Sequence, residues 1–283
     1  MARHARFGEL SPEVGELDVD AVREAVGDDP DDVLPLLALM STATDPALRA
    51  KVQALVPRLV LDRARAGPTG RIGSGRLRRL PADRGGDLDL DASLEAVAAA
   101  RAEGRPPALD ELTATAWQRP STALCLLLDR SGSMDGPRLV TAAMAAAACA
   151  LRVAGEGELS VVAFDRRAEV VVDLAVPVSP LRVVERVLGL RGHGMTSLDA
   201  AFRSAARQLA GARAQRRITV LLSDCRATDE IDAVPAGRAL DELLVVAPAD
   251  DDDEARRVAR EIGARMASLA SIDDLPRVLD SLV

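Results

Sequence analysis

Apolar positions in the second half of the chain follow two alternating patterns. Short, continuous apolar runs are typical of strands buried on both faces, whereas apolar residues recurring every three or four positions indicate helices that pack against a sheet. The predicted strands cover residues 124–129, 159–165, 168–174, 218–224, 242–247 and 265–269. The predicted helices cover residues 138–153, 181–190, 198–209 and 253–262, with a closing helix from Ile272.

This alternation of strands and helices predicts an α/β fold, with a doubly wound, mostly parallel sheet and helices on both faces. One strand is expected to run in the opposite direction. The run at 168–174 follows the run at 159–165 after a short turn, which indicates a hairpin and an antiparallel edge strand.

The first hundred or so residues have a different, mainly helical pattern. Helices are predicted where aspartates precede apolar periodic segments, at residues 18–26, 31–40 and 45–64. A Gly-, Pro- and Arg-rich segment follows near residues 67–84, and it is either a linker or a basic strand-and-loop segment. A further helix then runs to about Ala102. We therefore expect a mainly helical N-terminal region over residues 1–117 and a separate α/β domain over residues 118–283.

Two acidic runs have more than one interpretation. The alternation of Asp87, Asp89 and Asp91 fits a second cation site, a solvated strand or a helix cap. The run at 250–254 has the composition of a Ca²⁺ loop, but its spacing is not that of an EF-hand. Because acidic residues at a helix N-terminus complement the helix dipole, we expect this second run to begin a helix.

Polar side chains lie where two of the predicted strands end. The first strand ends in Asp129, with Ser131 and Ser133 following at alternate positions around a glycine. Another strand ends in Asp224, and Thr196 follows a Gly-rich turn just before a predicted helix. Ligands of doubly wound domains bind at the carboxyl ends of the strands, where parallel neighbours would bring both aspartates to one edge. These oxygens suit Mg²⁺ or another hard cation; the alternative is a serine-rich turn without a ligand.

The order of these motifs resembles the von Willebrand factor A (VWA) family over residues 123–283. The metal-ion-dependent adhesion site of that family combines an Asp-x-Ser-x-Ser loop, a later Thr after a Gly-rich turn and a later Asp at a strand end. The resemblance implies that both aspartates act mostly through water and that both serines ligate directly. Thr196 would ligate directly or through water. The implied metal site is therefore Asp129, Ser131, Ser133, Thr196 and Asp224.

The expected cation is Mg²⁺, with Mn²⁺ as the alternative. Octahedral coordination leaves one position for an Asp or Glu of a partner protein. Cys225 stands where members of the family usually have glycine after the last Asp. Its side chain is expected to narrow the rim of the site or to change the loop.

A narrower resemblance joins the stretches 86–94, 117–120 and 128–134 to bacterial VWA proteins of the CoxE-like kind. Those proteins are associated with MoxR-type AAA+ ATPases and are related to magnesium-chelatase D subunits. The resemblance implies a metal-dependent protein-binding adaptor that partners such an ATPase in remodelling or maturation of a client protein. The alternative is the non-ATPase subunit of a chelatase that inserts Mg²⁺ or Co²⁺ into a tetrapyrrole, although this chain lacks that group's long acidic, proline-rich linker. A VWA fold with a silent site is the remaining possibility.

Several enzyme classes are disfavoured, so the chain itself is not expected to be an enzyme. Lys51 is the sole lysine and has no glycine loop around it, which excludes a Walker A motif. The only histidines are His4 and His193, and neither fits a catalytic triad; His193 is a loop residue or a contact for a partner. A phosphatase of the haloacid-dehalogenase type needs an acid two residues after Asp129, where Ser131 stands.

Composition also disfavours other partners. The net charge of -8 and the 1% aromatic content disfavour nucleic-acid binding. The Ala-rich stretch near residues 142–150 is too short to span a membrane. No apolar signal core follows the charged N-terminus, and the three cysteines form no Cys-x-x-Cys motif. These features predict a cytoplasmic protein with reduced thiols and no membrane partner.

Overall fold

The computed structural model describes residues 6–41, 45–66, 76–118, 121–130, 137–154, 157–192 and 194–280. The chain forms two compact units. One unit joins the segments 1–72 and 121–282, and the other comprises residues 73–120.

Helices dominate the first segment of the larger unit, as predicted. They are α1 (Phe7–Leu10), α2 (Val19–Asp28), α3 (Pro30–Met40) and α4 (Pro46–Ala66). Aspartates precede three of them and accept hydrogen bonds from backbone N–H groups of the first turn. Asp18 accepts from Asp20 and Ala21, Asp29 from Asp32, and Asp45 from Ala47 and Leu48. These side chains satisfy N–H groups that the first turn of a helix leaves without partners.

The smaller unit contains a three-stranded antiparallel sheet and one helix. Its elements are β1 (Arg76–Pro81), a 3₁₀ turn (Ala82–Arg84), β2 (Asp87–Leu88), α5 (Leu90–Ala102) and β3 (Thr113–Gln118), and β3 lies between the other two strands. The predicted basic strand is therefore present at the end of the Arg-rich segment, while residues 67–75 lie outside the described part.

Asp89 resolves the first acidic run in favour of a helix cap. Its carboxylate accepts a hydrogen bond from the backbone N–H of Ala92, at 3.0 Å, and another from Arg79 Nε, at 2.9 Å. Both contacts lower the pKa of Asp89, the backbone hydrogen bond most strongly. Ser93 joins the helix to β3, because its hydroxyl donates to the carbonyl of Asp89 at 2.7 Å and accepts from the N–H of Thr113 at 3.0 Å.

The larger unit is built on a six-stranded sheet in the order β6-β5-β4-β7-β8-β9. The strands are β4 (Thr122–Asp129), β5 (Glu158–Phe164), β6 (Ala168–Val172), β7 (Arg216–Leu222), β8 (Glu242–Pro248) and β9 (Arg265–Leu269). All neighbours are parallel except β5 and β6, which form the predicted antiparallel hairpin. This confirms the doubly wound, mostly parallel α/β fold.

Helices cover both faces of the sheet. They are α6 (Pro137–Val153), α7 (Pro180–Leu188), α8 (Leu198–Ala210), α9 (Val234–Arg238), α10 (Asp253–Ile262), a 3₁₀ turn (Ile272–Asp274) and α11 (Leu275–Asp280). The central strand β4 is buried on both sides. Leu124, Leu126 and Leu128 face one apolar cluster, whereas Cys125 and Leu127 face the other. A strand in this position needs a continuous apolar run, which explains the pattern in the sequence.

Helix α6 packs directly on one face of the sheet. It is Ala-rich and buried over most of its length, between the sheet and the helices α3, α4, α7 and α11. The N-terminal helices therefore belong to the same unit as the sheet, and the predicted division at residue 117 does not coincide with the compact units. The physical reason is that the apolar faces of α3 and α4 are buried against α6, a pairing that periodicity alone does not specify.

The acidic run at 250–254 begins a helix, as expected. Helix α10 starts at Asp253, and the preceding Asp252 accepts hydrogen bonds from Arg256 at 2.8 and 2.6 Å. These bonds, together with one from Ser268, lower the pKa of Asp252 to about 2.

Candidate metal centre

Two of the predicted site residues, Asp129 and Asp224, lie at the edge of the larger sheet where the parallel strands end, here called the carboxyl edge. Asp129 is the last residue of β4 and pairs in register with Phe164, the last residue of β5. On the other side, Leu128 pairs with Leu222, the last residue of β7. Asp129 and Asp224 therefore follow adjacent strands and are brought to one edge.

Ser223 connects the two strand ends directly. Its hydroxyl donates to Asp129 Oδ2 at 2.5 Å and accepts from the backbone N–H of Cys225 at 2.9 Å. Ser223 is itself buried. This hydroxyl fixes both the orientation of the Asp129 carboxylate and the turn that carries Asp224.

Asp224 sits in a tight turn that bends away from β7. Its Oδ1 accepts from the backbone N–H of Arg226 at 3.0 Å, and its Oδ2 lies 3.9 Å from Arg138 Nη2. The Asp224 side chain is 16% exposed, so it remains accessible from the carboxyl edge. The positive charge of Arg138 offsets part of the negative charge that the two aspartates place there.

Cys225 adopts the backbone conformation that glycine favours. Its φ is 61°, and among the described residues it is the only non-glycine with a positive φ. Its side chain is fully buried in the apolar cluster beneath the loop and not at the rim. Burial, followed by the nearby charges of Asp129 and Asp224, raises the pKa of the thiol to about 12. Cysteine therefore preserves a turn suited to glycine instead of narrowing the rim.

Thr196 is held beside the turn that follows β7. Its backbone N–H donates to Thr228 Oγ1 at 2.8 Å, and its carbonyl accepts from the Thr228 N–H at 3.0 Å. Thr196 is 3% exposed, and within the described part of the chain its hydroxyl has no hydrogen-bond partner. A hydroxyl without such a partner retains its lone pairs for a ligand.

A cavity of about 410 Å³ opens at the carboxyl edge. Both Asp129 and Asp224 line it, together with Arg138 and the apolar ends of β7 and β8. Thr196 is not part of its lining and is linked to it through the loop after β7. Ser131, Ser133 and His193 lie outside the described residues.

The chemistry of the described residues fits a hard divalent cation. The carboxylates of Asp129 and Asp224 and the hydroxyl of Thr196 are oxygen donors of the kind that Mg²⁺ prefers. Across the described residues, no group of three or more His, Cys, Asp or Glu side chains could hold a metal ion. A cation at this edge would therefore depend on hydroxyl oxygens as well as on carboxylates.

Three contributors to the site were not predicted. Ser223 and Thr228 hold the site residues in place, and Arg138 adds a positive charge beside Asp224. A polar residue just before a strand-end Asp was a usable signal for Ser223. Thr228 carries no such signal, because its contact with Thr196 spans 32 residues of sequence.

Comparison with solved structures finds partial similarity to several proteins. A VWA protein from Catenulispora acidiphila is 21% identical, with a TM-score of 0.47, over 60% of this chain and 43% of that one. An aerotolerance-related membrane protein from Bacteroides fragilis is 15% identical, with a TM-score of 0.46, over 57% and 97%. A mutant PilB minor pilin from Streptococcus sanguinis is 12% identical, with a TM-score of 0.49, over 59% and 61%. At these values the similarity carries no inference about activity.

A cyanobacterial sequence is similar over a shorter stretch. The uncharacterized protein sll0103 of Synechocystis sp. is 38% identical over 76 residues, which are 27% of this chain and 18% of that protein. The chain thus spans less than a fifth of this relative. Within the described segments, every helix is too short or too polar to cross a membrane.

The family comparison covers most of the chain. Residues 63–275 match the family model described as a VWA domain containing CoxE-like protein. This span includes the smaller unit, the six-stranded sheet and the whole carboxyl edge. The chain therefore belongs to the VWA family of CoxE-like proteins.

Proposed function

We propose that this protein is a metal-ion-dependent, protein-binding adaptor. The observation that carries the proposal is the carboxyl edge, where Asp129 and Asp224 line one cavity and Ser223 fixes the Asp129 carboxylate. Membership in the VWA family of CoxE-like proteins supports an adaptor of the VWA type. The proposal extends to the identity of the cation and of the partner.

The proposed cation site consists of the five residues of the sequence motif. Ser131 and Ser133 would hold Mg²⁺ directly, Thr196 would do so directly or through water, and Asp129 and Asp224 would act mostly through water. Neutral hydroxyls next to the ion would leave it electrophilic, while the carboxylates orient the ligands and waters. Mn²⁺ is the alternative cation. The ion would supply one open position for a carboxylate of the partner.

The residues around the site would orient its carboxylates and contribute to partner contact. Ser223 orients the Asp129 carboxylate, and the turn at Cys225 sets the direction of Asp224. Arg138 lies beside Asp224 at the mouth of the cavity, where its guanidinium could also contact an acidic partner residue. By resemblance, the partner is a MoxR-type AAA+ ATPase, and the complex remodels or matures a client protein.

The proposal is tested by capture from a native lysate with Mg²⁺ or with EDTA. The variant is Ser131→Ala/Ser133→Ala, and the matched control is Ser179→Ala. Ser179 is exposed, makes no capping hydrogen bond and precedes α7, after β6 has returned to the opposite edge of the sheet. An AAA+ ATPase retained only with Mg²⁺ and intact motif serines would support the proposal.

Two other results would count against it. Partners retained equally with EDTA and by the paired serine variant would show that the docking contact does not depend on the cation. Binding of a tetrapyrrole by the captured complex would favour the chelatase subunit instead.

A further inference from the structure

Arg130 lies between two residues of the proposed cation site, and its side chain is held by carboxylates of the neighbouring hairpin. Its backbone N–H donates to the carbonyl of Phe164 at 2.8 Å. Its guanidinium donates from Nε to Asp165 Oδ2 at 3.0 Å and from Nη1 to Glu169 Oε2 at 2.7 Å. The Arg130 side chain is 12% exposed and that of Asp165 is 9%, so this ion pair is largely removed from water.

Asp165 also contacts the loop that carries Thr196. The carbonyl of Asp165 accepts from the backbone N–H of Ser197 at 2.9 Å, immediately after Thr196. The second carboxylate oxygen, Oδ1, accepts from the N–H of Arg167 at 2.8 Å, which fixes the orientation of the carboxylate. One residue thus joins two loops that are distant in sequence.

Removal from water costs an ion pair much of its electrostatic gain, so stability alone does not account for it. Its geometric effect is more specific. We infer that Arg130 is a positioning residue for the cation site: through Asp165, it ties the residue directly after Asp129 to the loop of Thr196. The inference rests on the proposed function, because it assigns Arg130 to the proposed cation.

Charge and positioning predict opposite effects of removing this arginine. Loss of a positive charge near a bound cation would tighten cation binding, because the repulsion between them is removed. Loss of a positioning contact would weaken binding, typically by 10–100-fold for residues that orient metal ligands. The sign of the change therefore distinguishes the two roles.

The chain offers a control for each alternative. Arg138 lies near the site, with Nη2 3.9 Å from Asp224 Oδ2, but its side chain is 54% exposed, so Arg138→Gln tests charge alone. Arg216 makes a paired contact with Glu242, at 2.6 and 2.8 Å, where β7 and β8 begin at the opposite edge of the sheet. Arg216→Gln therefore tests the general loss of a partly buried ion pair.

The experiment measures the Mg²⁺ dissociation constant by titration calorimetry, with Mn²⁺ binding by electron paramagnetic resonance as a second readout. Arg130→Gln is expected to raise the dissociation constant about tenfold or more, and Arg130→Lys to recover part of the loss. Glu169→Gln is the milder variant should Arg130→Gln fail to fold, and it should raise the constant by a smaller factor. Arg138→Gln removes a positive charge beside Asp224 and should tighten Mg²⁺ binding, whereas Arg216→Gln should change only thermal stability.

A measurement without metal separates this inference from the proposed function. In EDTA, amide hydrogen exchange over residues 194–200 should be faster in Arg130→Gln than in Arg216→Gln. If exchange is faster in Arg130→Gln but the wild-type protein binds no Mg²⁺, the contact between the loops is supported and the proposed cation site is refuted. Mg²⁺ binding that is unchanged or tighter in Arg130→Gln, with unchanged exchange, would refute the positioning role and leave the cation in place.

Discussion

Replacing Cys225 tests whether the turn after Asp224 needs a left-handed backbone. Cys225 has a φ of 61° and is fully buried. Such a conformation costs an L-amino acid roughly 1–2 kcal/mol, which glycine does not incur. Comparing Cys225→Gly with Cys225→Ala isolates this cost, because both variants lose the sulfur and differ only in the methyl group and the backbone.

The expected magnitude follows from three contributions. At an ordinary position, glycine is less stable than alanine by roughly 0.5–1 kcal/mol because the unfolded chain is freer. Loss of the buried methyl group adds about 0.8 kcal/mol. At Cys225 the relief of left-handed strain offsets this sum, so the two variants should unfold within about 0.5 kcal/mol of each other.

Cys149 supplies the matched control, because it is equally buried but lies inside α6. There is no left-handed strain to relieve at that position, so Cys149→Gly should be less stable than Cys149→Ala by about 1.5 kcal/mol. Urea unfolding followed by circular dichroism, in EDTA, measures all four variants. A glycine penalty at Cys225 as large as that at Cys149 would refute the left-handed turn.

Three other measurements test separate parts of the molecule. The hydrogen bond from Arg63 lowers the pKa of Asp273, so the stabilisation from this pair is present above the pKa of the unfolded state and is lost as the pH falls through the pKa of the folded state. In urea unfolding, Asp273→Asn should therefore lower the free energy of unfolding by about 0.5–1 kcal/mol at neutral pH and by less in acid. A loss that does not change with pH would contradict the pairing. Ser93→Ala removes the acceptor for the Thr113 N–H and should lower the free energy of unfolding by about 1–3 kcal/mol. Unfolding can be followed by the fluorescence of Trp117, the sole tryptophan, and an unshifted transition would contradict that contact. Finally, Mg²⁺ at 100 times its dissociation constant should stabilise the native protein by about 2.7 kcal/mol in thermal unfolding and leave the paired motif-serine variant unchanged; equal shifts in both would place the ion elsewhere.

The parts of the fold that the sequence predicted are those where burial leaves a strong periodic pattern. The predictions at 253–262 and 265–269 coincide with α10 and β9, and the central strand β4 was evident because both of its faces are apolar. Strand β3 of the smaller unit was missed, whereas β2 begins at Asp87, in the run for which a solvated strand was one alternative. The stretch Thr113–Gln118 alternates threonine and alanine at first and has no apolar run, and its partners lie 26 to 42 residues earlier.

For the site, the sequence predicted only which residues share one edge of the sheet. Parallel neighbouring strands bring Asp129 and Asp224 together, which follows from topology alone. The hydrogen bond of Ser223 with Asp129 and the pairing of Thr196 with Thr228 depend on loop geometry that no periodic pattern encodes. Metal binding by these residues stays a prediction. The conformation of Cys225 could have been anticipated from the glycine that it replaces, but not the burial of its side chain.

The burial of α6 has a consequence for the order in which this chain can fold. Helices α3 and α4 are made first but cover a helix that begins about 70 residues after α4 ends. Their polar contacts reach further still, since Arg63 binds Asp273 across 210 residues and Asp31 binds the Ile272 N–H across 241. Closing such long loops is entropically costly and slows folding. During synthesis, the apolar faces of α3 and α4 therefore stay exposed at least until α6 has emerged, and in that interval the nascent chain is most open to aggregation and to capture by chaperones.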